Sequence, residues 1–434
     1  MKKVNTSRVE RLAKEGSWIL LGQVITFSGS IVLIRVLTGY LDPTQYGQLA
    51  LSLTAASLVN QVILGGITAG IGRYYSIAAE KRDLNGYMRA TLHLLGYATL
   101  SIVVLSLILI FVLFCFGYSQ WIRLLIVVLL FSVFNGYNAT LNSIQNAARQ
   151  RAIASFHSGL DAWLKIGLVV CFMLWLGTSS SAVIIGYACS SLLITISQLL
   201  FLRNSNPLNK SPINDIQYWR AQIWAFSLPF TIFGGFTWIL QASDRWALQT
   251  FATVSDIGQY AVLYQLGYTP IALISGLAIN LLGPILYQRS GDGKEDHRNE
   301  SVHRIARRIT NTSLFLTLVG FALTFALNEQ IFSVLVGSEY RRSSHLLPWV
   351  VLAGGIFSSG QILALKLMSD LKSSDMITAK ITTALIGSLL NIAGAAFAGV
   401  QGVISALVAF SVIYFAWLAK LAYQDNTNNI TKTR

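Results

Sequence analysis

The sequence predicts an all-α polytopic membrane protein of about twelve transmembrane helices. Long apolar runs, scarce charge and an alternation of charge from loop to loop predict it. Hydrophobic residues make up 54% of the 434 and charged residues 12%. A soluble domain of this size would need far more charge to cover its surface. Crossing a hydrocarbon core of about 30 Å takes roughly 20 apolar residues at 1.5 Å each. The first run, 17–37, has that length and carries one charge, Arg35. The predicted spans are 17–38, 46–70, 91–116, 121–145, 152–176, 181–203, 219–243, 257–287, 308–328, 345–369, 375–398 and 401–423.

The net charge of +14 invites a nucleic-acid reading, but its distribution excludes one. Of 32 Lys and Arg, 26 fall in the N-terminus, the even-numbered loops and the C-terminus. The odd loops hold Arg35, Arg123, Arg245, Arg341 and Arg342, and Lys165 lies inside a span. The positive-inside rule then puts both termini in the cytoplasm, as an even number of spans requires. The N-terminus resembles a signal peptide in being basic and then apolar. Its apolar run is span-length with no A-x-A site after it, so a retained first helix is expected.

Two halves are visible. The polar stretch 204–218, with Pro207 and Pro212, is the expected cytoplasmic linker between bundles 1–203 and 219–423, and 424–434 is the expected cytoplasmic tail. The halves repeat with a shift of 211. It carries Gly47-Gln48-x-Ala50 onto Gly258-Gln259-x-Ala261, Gly65 onto Gly276, Gly72 onto Gly283 and Thr26 onto Thr237. Six spans per half preserve orientation, so the implied relation is a pseudo-two-fold axis along the membrane normal. Two unrelated bundles of similar composition are the alternative. Pro229, Pro270, Pro284 and Pro348 lie in or beside spans 7, 8 and 10, where each removes a donor and tends to kink its helix.

Chemistry-bearing residues inside the spans are few. Asp161 and Lys165 sit about 9 and 13 residues into span 5, roughly 14–20 Å deep at helical rise. They are four residues apart and share one face. They read either as a polar point in a cavity, with Lys165 meeting an anionic head group, or as a self-neutralised packing pair. Span 1 carries Gln23, Thr26 and Ser30 at spacings of three and four, and span 7 carries Thr237, Gln241 and Arg245 at a spacing of four. Each set forms one polar stripe. Under the shift of 211 Arg35 falls on Trp246, one residue from Arg245. These arginines either line a cavity, where a planar guanidinium suits pyrophosphate, or snorkel to the outer interface. Asp244 is the expected local partner of Arg245. Lys366 and Asp370 form another pair four apart, near the cytoplasmic end of span 10, where Lys366 reads either as a further cavity residue or as part of a packing pair close to the interface. Arg73 reads as a positive-inside anchor, and the run 297–308 as a basic cytoplasmic surface. Trp18, Trp121, Trp219 and Tyr260 lie near span ends and are expected in the interfacial belt. Cys115, Cys171 and Cys189 read as small apolar residues, and no metal spacing, cofactor or nucleophile–base constellation is expected.

Three stretches resemble the polysaccharide-transport branch of the multidrug/oligosaccharidyl-lipid/polysaccharide exporter superfamily. They are Arg35-Val-Leu-Thr-Gly-Tyr-Leu-Asp-Pro-Thr-Gln-Tyr-Gly-Gln-Leu-Ala50, then Ser243-Asp244-Arg245 with Val254-Ser-Asp-Ile-Gly-Gln-Tyr-Ala261, and Val336-Gly337-Ser-Glu339-Tyr340. Their order and spacing carry the likeness, which runs along about the whole chain. The resemblance implies two six-helix bundles around a central cavity. It implies a non-enzymatic flippase for an undecaprenyl-pyrophosphate-linked oligosaccharide of O-antigen, capsule or exopolysaccharide type. It also implies the bacterial inner membrane, contact with membrane lipids, a coupling ion (H+ or Na+), and a polysaccharide polymerase and chain-length regulator as partners. A cation-coupled multidrug exporter of the same superfamily would carry carboxylates within its bundles; span 1 has none, and Asp161 is the main candidate. A lipid II flippase would be expected to carry extra helices. A membrane-embedded polymerase or glycosyltransferase would be expected to have a large outer loop, and the outer loops here are short.

The charge pattern yields the first prediction. Loops around Asp83, Asn209 and Asp296 are cytoplasmic, and those around Thr178 and Glu339 face outward. Single cysteines at these sites, labelled in intact cells with an impermeant reagent, test it. Efficient labelling at position 296 from outside would overturn the orientation.

Overall fold

A computed structural model describes residues 2–205, 215–290, 296–369 and 373–423, with side chains except at 2–15, 120, 204–205, 280–290, 296–303 and 373–374. Most of the expected linker, the tail 424–434, Asn209 and Asp370, and the side chains of Pro284, Asp296 and His297, lie outside this description. Among the described residues all regular structure is helical. The bilayer dictates this, because an apolar medium offers no partner to a backbone amide and a helix satisfies each one internally.

The helices in chain order are α1 (Lys2–Tyr40), α2 (Pro43–Glu80), α3 (Leu84–Cys115), α4 (Ile122–Ala147), α5 (Arg151–Leu176), α6 (Ser180–Ser205), α7 (Ile216–Phe251), α8 (Val254–Ser290), α9 (Asp296–Leu335) and α10 (Leu347–Ser369). A last helical stretch, Ser373–Tyr423, breaks at Ala398 and Gly399. Gly399 there takes φ of 54°, a left-handed value that favours glycine. The break separates α11 (373–397) from α12 (400–423), and a Cβ on Gly394 would run into the backbone of Gly402 where the chain doubles back. Among the described residues eleven segments are long and apolar enough to cross a membrane, and the 49-residue last one holds two of the twelve expected spans. The chain is a multi-pass membrane protein.

Side chains set the helix starts. Asp42 accepts from the Gln45 amide (2.7 Å), Asp83 from Gly86 (3.1 Å) and Asp215 from Tyr218 (3.0 Å). At α8 the Thr253 hydroxyl accepts from the Asp256 amide (3.2 Å), while the Asp256 carboxylate accepts from the Thr253 amide (3.0 Å). That reciprocal pair satisfies two orphan donors at once. Pro348 is the second residue of α10, where no helical donor is lost, so it starts that helix rather than kinking it. Pro229 lies inside α7, which continues through it.

The chain divides into two compact units. Residues 1–41 and 48–238 form the first, and residues 42–47 and 239–434 the second. In the first unit α1 packs on α5, α5 on α6 and α6 on α4. The N-terminal part of α7 closes on α2 along small residues: a Cβ on Gly66 would meet Thr231, on Gly70 Ser227 and Ile223, and on Gly234 the Gln61 carbonyl. Between helices in a membrane, where lipid competes equally for apolar surface, such close approach supplies the attraction. In the second unit α10 is the central post, packed by α8, α9 and the α11–α12 stretch.

Two expected belt aromatics belong to these cores instead. Trp219 is 1% exposed, and its indole donates to the Asp83 carboxylate at 2.7 Å. Tyr260 is fully buried and donates to Asp244 at 2.6 Å. A polar tip suits an aromatic ring either to the interface or to a buried acceptor, and here the acceptor decides. Trp18 and Trp121 are exposed, at 42% and 44%.

The internal repeat has a structural counterpart in the second unit. A Cβ on Gly47 would collide with the Val254 carbonyl, and a Cβ on Gly258 with the Pro43 carbonyl. The offset of 211 relates Gly47 to Gly258, Pro43 to Val254 and the caps Asp42 to Thr253, so the crossing is reciprocal. Gly65 and Gly276 share no such environment. A Cβ on Gly65 would press on the Asn60 carbonyl beside a π-helical turn, Val59–Leu64, whereas one on Gly276 meets open space.

Gly47→Ala and Gly258→Ala should each lower the melting temperature of the purified protein, because a methyl here displaces backbone rather than a side chain, at about 1–3 kcal/mol. Gly276→Ala should not lower it. Equal melting of all three variants and wild type would refute the tight crossing.

Candidate functional site

A polar cavity of about 480 Å³ lies in the first unit, lined by Thr26 of α1, Asn135, Asn138, Ala139, Asn142 and Ser143 of α4, and Ser158 and Asp161 of α5. Helix geometry explains the convergence. Asn135, Asn138 and Asn142 follow at spacings of three and four and so share one face of α4; Asn146 extends the row by a turn. The row is internally braced. The Asn142 amide donates to Ser158 (2.9 Å), and Asn146 donates to the Asn142 side-chain oxygen (2.6 Å).

Asp161 anchors the opposite wall. Lys165 donates to its Oδ2 at 2.5 Å, and Ser190 of α6 to its Oδ1 at 2.9 Å. Side-chain exposure is 18% for Lys165 and 14% for Asp161, and the Lys165 ammonium stands 5.8 Å from the Tyr187 ring. The carboxylate therefore has an ionic and a hydroxyl partner. One turn earlier on α5, buried His157 has its Nδ1 2.9 Å from the Ile153 carbonyl and its Nε2 3.1 Å from the Ser197 hydroxyl.

Of the polar residues of α1, Thr26 borders the cavity; Gln23 and Ser30 do not line it. The Thr26 and Ser30 hydroxyls bond back to the carbonyls of Gly22 and Thr26 (2.8 and 2.9 Å). A Cβ on Gly22 would press on Ser155, and one on Gly29 would reach Ala162, so α1 and α5 run parallel in register. That register sets exposed Arg35 level with residue 168, about 5 Å along the axis beyond Lys165.

The other predicted residues fall elsewhere. Thr237, exposed, donates to the Phe233 carbonyl at 3.0 Å. Gln241 and Arg245, one and two turns further along α7, belong to the second unit. There the Arg245 guanidinium lies 5.3 Å from the Tyr264 ring and donates to the Gln241 carbonyl at 3.5 Å. Asp244 accepts from the Arg245 backbone amide (2.7 Å) and from Tyr260. Tyr260, Tyr264 and Tyr268 repeat every four residues along α8, and the Tyr264 and Tyr268 rings stack at 4.6 Å. Lys366, 6% exposed, donates to the Ala422 carbonyl at 2.9 Å and so ties α10 to the end of α12.

Three features of the cavity go beyond the residues expected from the sequence: the asparagine row, the serines Ser143 and Ser158, and Ser190. The row is legible as a three–four spacing within an apolar span. Ser190 is not, because only packing of α6 on α5 brings it to Asp161. Chemically the cavity offers hydroxyls and carboxamides, groups that both donate and accept, around one neutralised charge pair. That set suits a polyhydroxylated ligand.

The fold is that of transporters of the multidrug/oligosaccharidyl-lipid/polysaccharide (MOP) superfamily. An inward-facing multidrug resistance MATE family transporter of that superfamily superimposes with a TM-score of 0.68 at 12% identity, covering 92% of this chain and 94% of that one. The lipid II flippase MurJ, inward closed, gives 0.70 at 13%, covering 92% and 86%. The Vibrio cholerae MATE transporter VcmN in its bent form gives 0.59 at 14%, covering 96% and 99%. The family model described as "Polysaccharide biosynthesis protein" matches residues 12–288, and the chain belongs to that family. No curated protein sequence matches it.

The pair's bonding sets a stability prediction. Lys165→Ala leaves Asp161 a half-satisfied carboxylate inside the membrane and should destabilise the purified protein by about 3–5 kcal/mol. Asp161→Asn combined with Lys165→Gln should recover most of that loss. Thermal unfolding in one detergent measures both, and a double variant no more stable than Lys165→Ala would contradict the pairing.

Proposed function

We propose that this protein is a flippase for an undecaprenyl-pyrophosphate-linked oligosaccharide repeat unit, of the kind that builds O-antigen, capsule or exopolysaccharide. It acts in the bacterial cytoplasmic membrane with both termini inside. Halves 1–203 and 219–423 alternate access to a central polar path while the lipid tail stays in the bilayer. The observation that carries this reading is the cavity lined by Thr26, Asn135, Asn138, Asn142, Ser143, Ser158 and Asp161 inside membrane-spanning helices. Each exposed polar group there costs free energy against hydrocarbon, so a row of them is retained for a polar cargo. Membership of the polysaccharide biosynthesis family supports the same cargo class. No covalent chemistry is required, and the constellation offers none.

In this reading Lys165, Arg35 and Arg245 supply positive potential to the pyrophosphate, and the carboxamides take the sugar hydroxyls. A low-dielectric surrounding strengthens the attraction of fixed cations for the anionic linker. A cation-coupled drug exporter would draw on Asp161 instead. Its two oxygens are already held by Lys165 and Ser190, which weighs against a proton or sodium site there.

Deletion in the native host should abolish the surface polymer and accumulate lipid-linked repeat units in the inner leaflet. Lys165→Arg should restore part of the polymer and Lys165→Ala almost none, with protein levels measured alongside. A normal surface glycan with raised sensitivity to cationic dyes would favour drug export. Full complementation by Asp161→Asn with Lys165→Gln would remove this pair from the site.

A further inference from the structure

A second cavity, of about 570 Å³, lies in the same unit between α2, α3 and α7, and its lining is almost wholly apolar. Along α3 it runs from Leu94 through Ala98 to Leu105, about 16 Å at helical rise. The wall on α2 comes from the π-helical turn, Val62 and Ile63, and the far wall from α7. A π turn inserts an extra residue and widens the helix locally. Here it coincides with the point where α2 and α7 are drawn together at Gly66 and Gly234. Among the described lining residues Arg220 is the sole charged one. It sits at the α7 N-terminal end, where its guanidinium donates to the Tyr97 hydroxyl at 3.3 Å, and Gln217 lies one turn away. The opposite end is lined by apolar side chains and Thr231.

The geometry points to a binding groove for a polyprenyl phosphate lipid, its isoprenoid chain along the α2–α3–α7 trough and its phosphate on Arg220. The described lining carries a cation at one end and no carboxylate, which matches an anionic head. Bilayer phospholipids are the competing occupants, and the competition with phosphatidylglycerol described below separates them from a polyprenyl chain. The Tyr97 hydroxyl and Gln217 add neutral hydrogen-bonding groups beside the guanidinium, and the guanidinium itself can engage two phosphate oxygens. By the charge distribution the α7 N-terminus is cytoplasmic, so the phosphate would lie in the inner leaflet. Under the flippase reading, on which this rests, the groove captures the lipid carrier before its glycan reaches the asparagine-lined cavity. It predicts affinity for the carrier without any sugar attached.

The test uses the full chain in phosphatidylethanolamine nanodiscs, with a C55 polyprenyl monophosphate as probe. A photoreactive p-benzoylphenylalanine at Ser101 should crosslink the probe, detected by mass spectrometry. Arg220→Ala should weaken binding about tenfold, the worth of one charge-assisted hydrogen bond. Arg220→Lys should retain part of it, and Leu105→Trp, at a lining residue that is itself exposed, should abolish the crosslink at unchanged melting temperature. Should Leu105→Trp fold poorly, Leu105→Phe replaces it with the same expected direction. Competition by equimolar phosphatidylglycerol as effective as unlabelled probe would overturn the proposal, as would equal binding of the uncharged polyprenol. Wild-type affinity in Arg220→Ala would do the same. None of these outcomes depends on glycan transport. A groove that fails to bind in a protein whose deletion still removes the surface polymer refutes this inference alone.

Discussion

A polar group inside a membrane finds no water, so it needs a partner supplied by the protein, and the tertiary structure is organised around those partnerships. The same holds for a buried charge at a helix end: Asp83, the cap of α3, takes the Trp219 indole across 136 residues and fixes the start of α7 against α3. Asp161 takes Lys165 and Ser190 and ties α5 to α6. Asp244 takes Tyr260 and joins α7 to α8. Lys366 reaches the Ala422 carbonyl and closes α12 onto α10. Each of these charges thus holds a helix pair whose apolar surfaces alone would gain little over contact with lipid.

Elsewhere small residues bring helices together. The reciprocal crossing at Gly47 and Gly258 lets two helix starts approach until backbone meets carbonyl, and the same device joins α2 to α7 at Gly66, Gly70 and Gly234. At Gly47 and Gly258 the internal repeat becomes a mutual contact. The caps Asp42 and Thr253 show how a duplicated position keeps its role while changing its residue. Both offer a side-chain oxygen to the first turn of a helix beginning at Pro43 or Val254.

Most of the fold was legible because its determinants are local. Span lengths follow from apolar runs, the α11–α12 break falls at the expected boundary between spans 375–398 and 401–423, and the Asp161–Lys165 pair follows from a spacing of four. The burial of Trp219 and Tyr260 was not legible, since an aromatic ring with a polar tip reads alike at an interface and beside a buried carboxylate. Which of these it meets depends on Asp83, or on Asp244 packed across from another helix. The role of Lys366 was hidden for a similar reason. Its acceptor is a backbone carbonyl 56 residues away, and carbonyls carry no sequence signature. The asparagine row is present in the sequence, but carboxamides at a three–four spacing serve equally to bond a neighbouring helix and to line a cavity.

The balance of carboxamides over charge bears on how the proposed site would select its cargo. A carboxylate left open would favour a cation, and an isolated lysine would favour any anion. Here the two pair at 2.5 Å, so Lys165 would offer an anionic linker the positive end of a dipole rather than an isolated charge. Carboxamides and hydroxyls then dominate the lining, and their donors and acceptors match a sugar's hydroxyls in either orientation. Such a surface binds by many modest hydrogen bonds, each worth about 0.5–1.5 kcal/mol net. Weak, distributed contacts of this kind favour release as well as capture. A transporter must do both, and a deep site built on unpaired charge would do only the first.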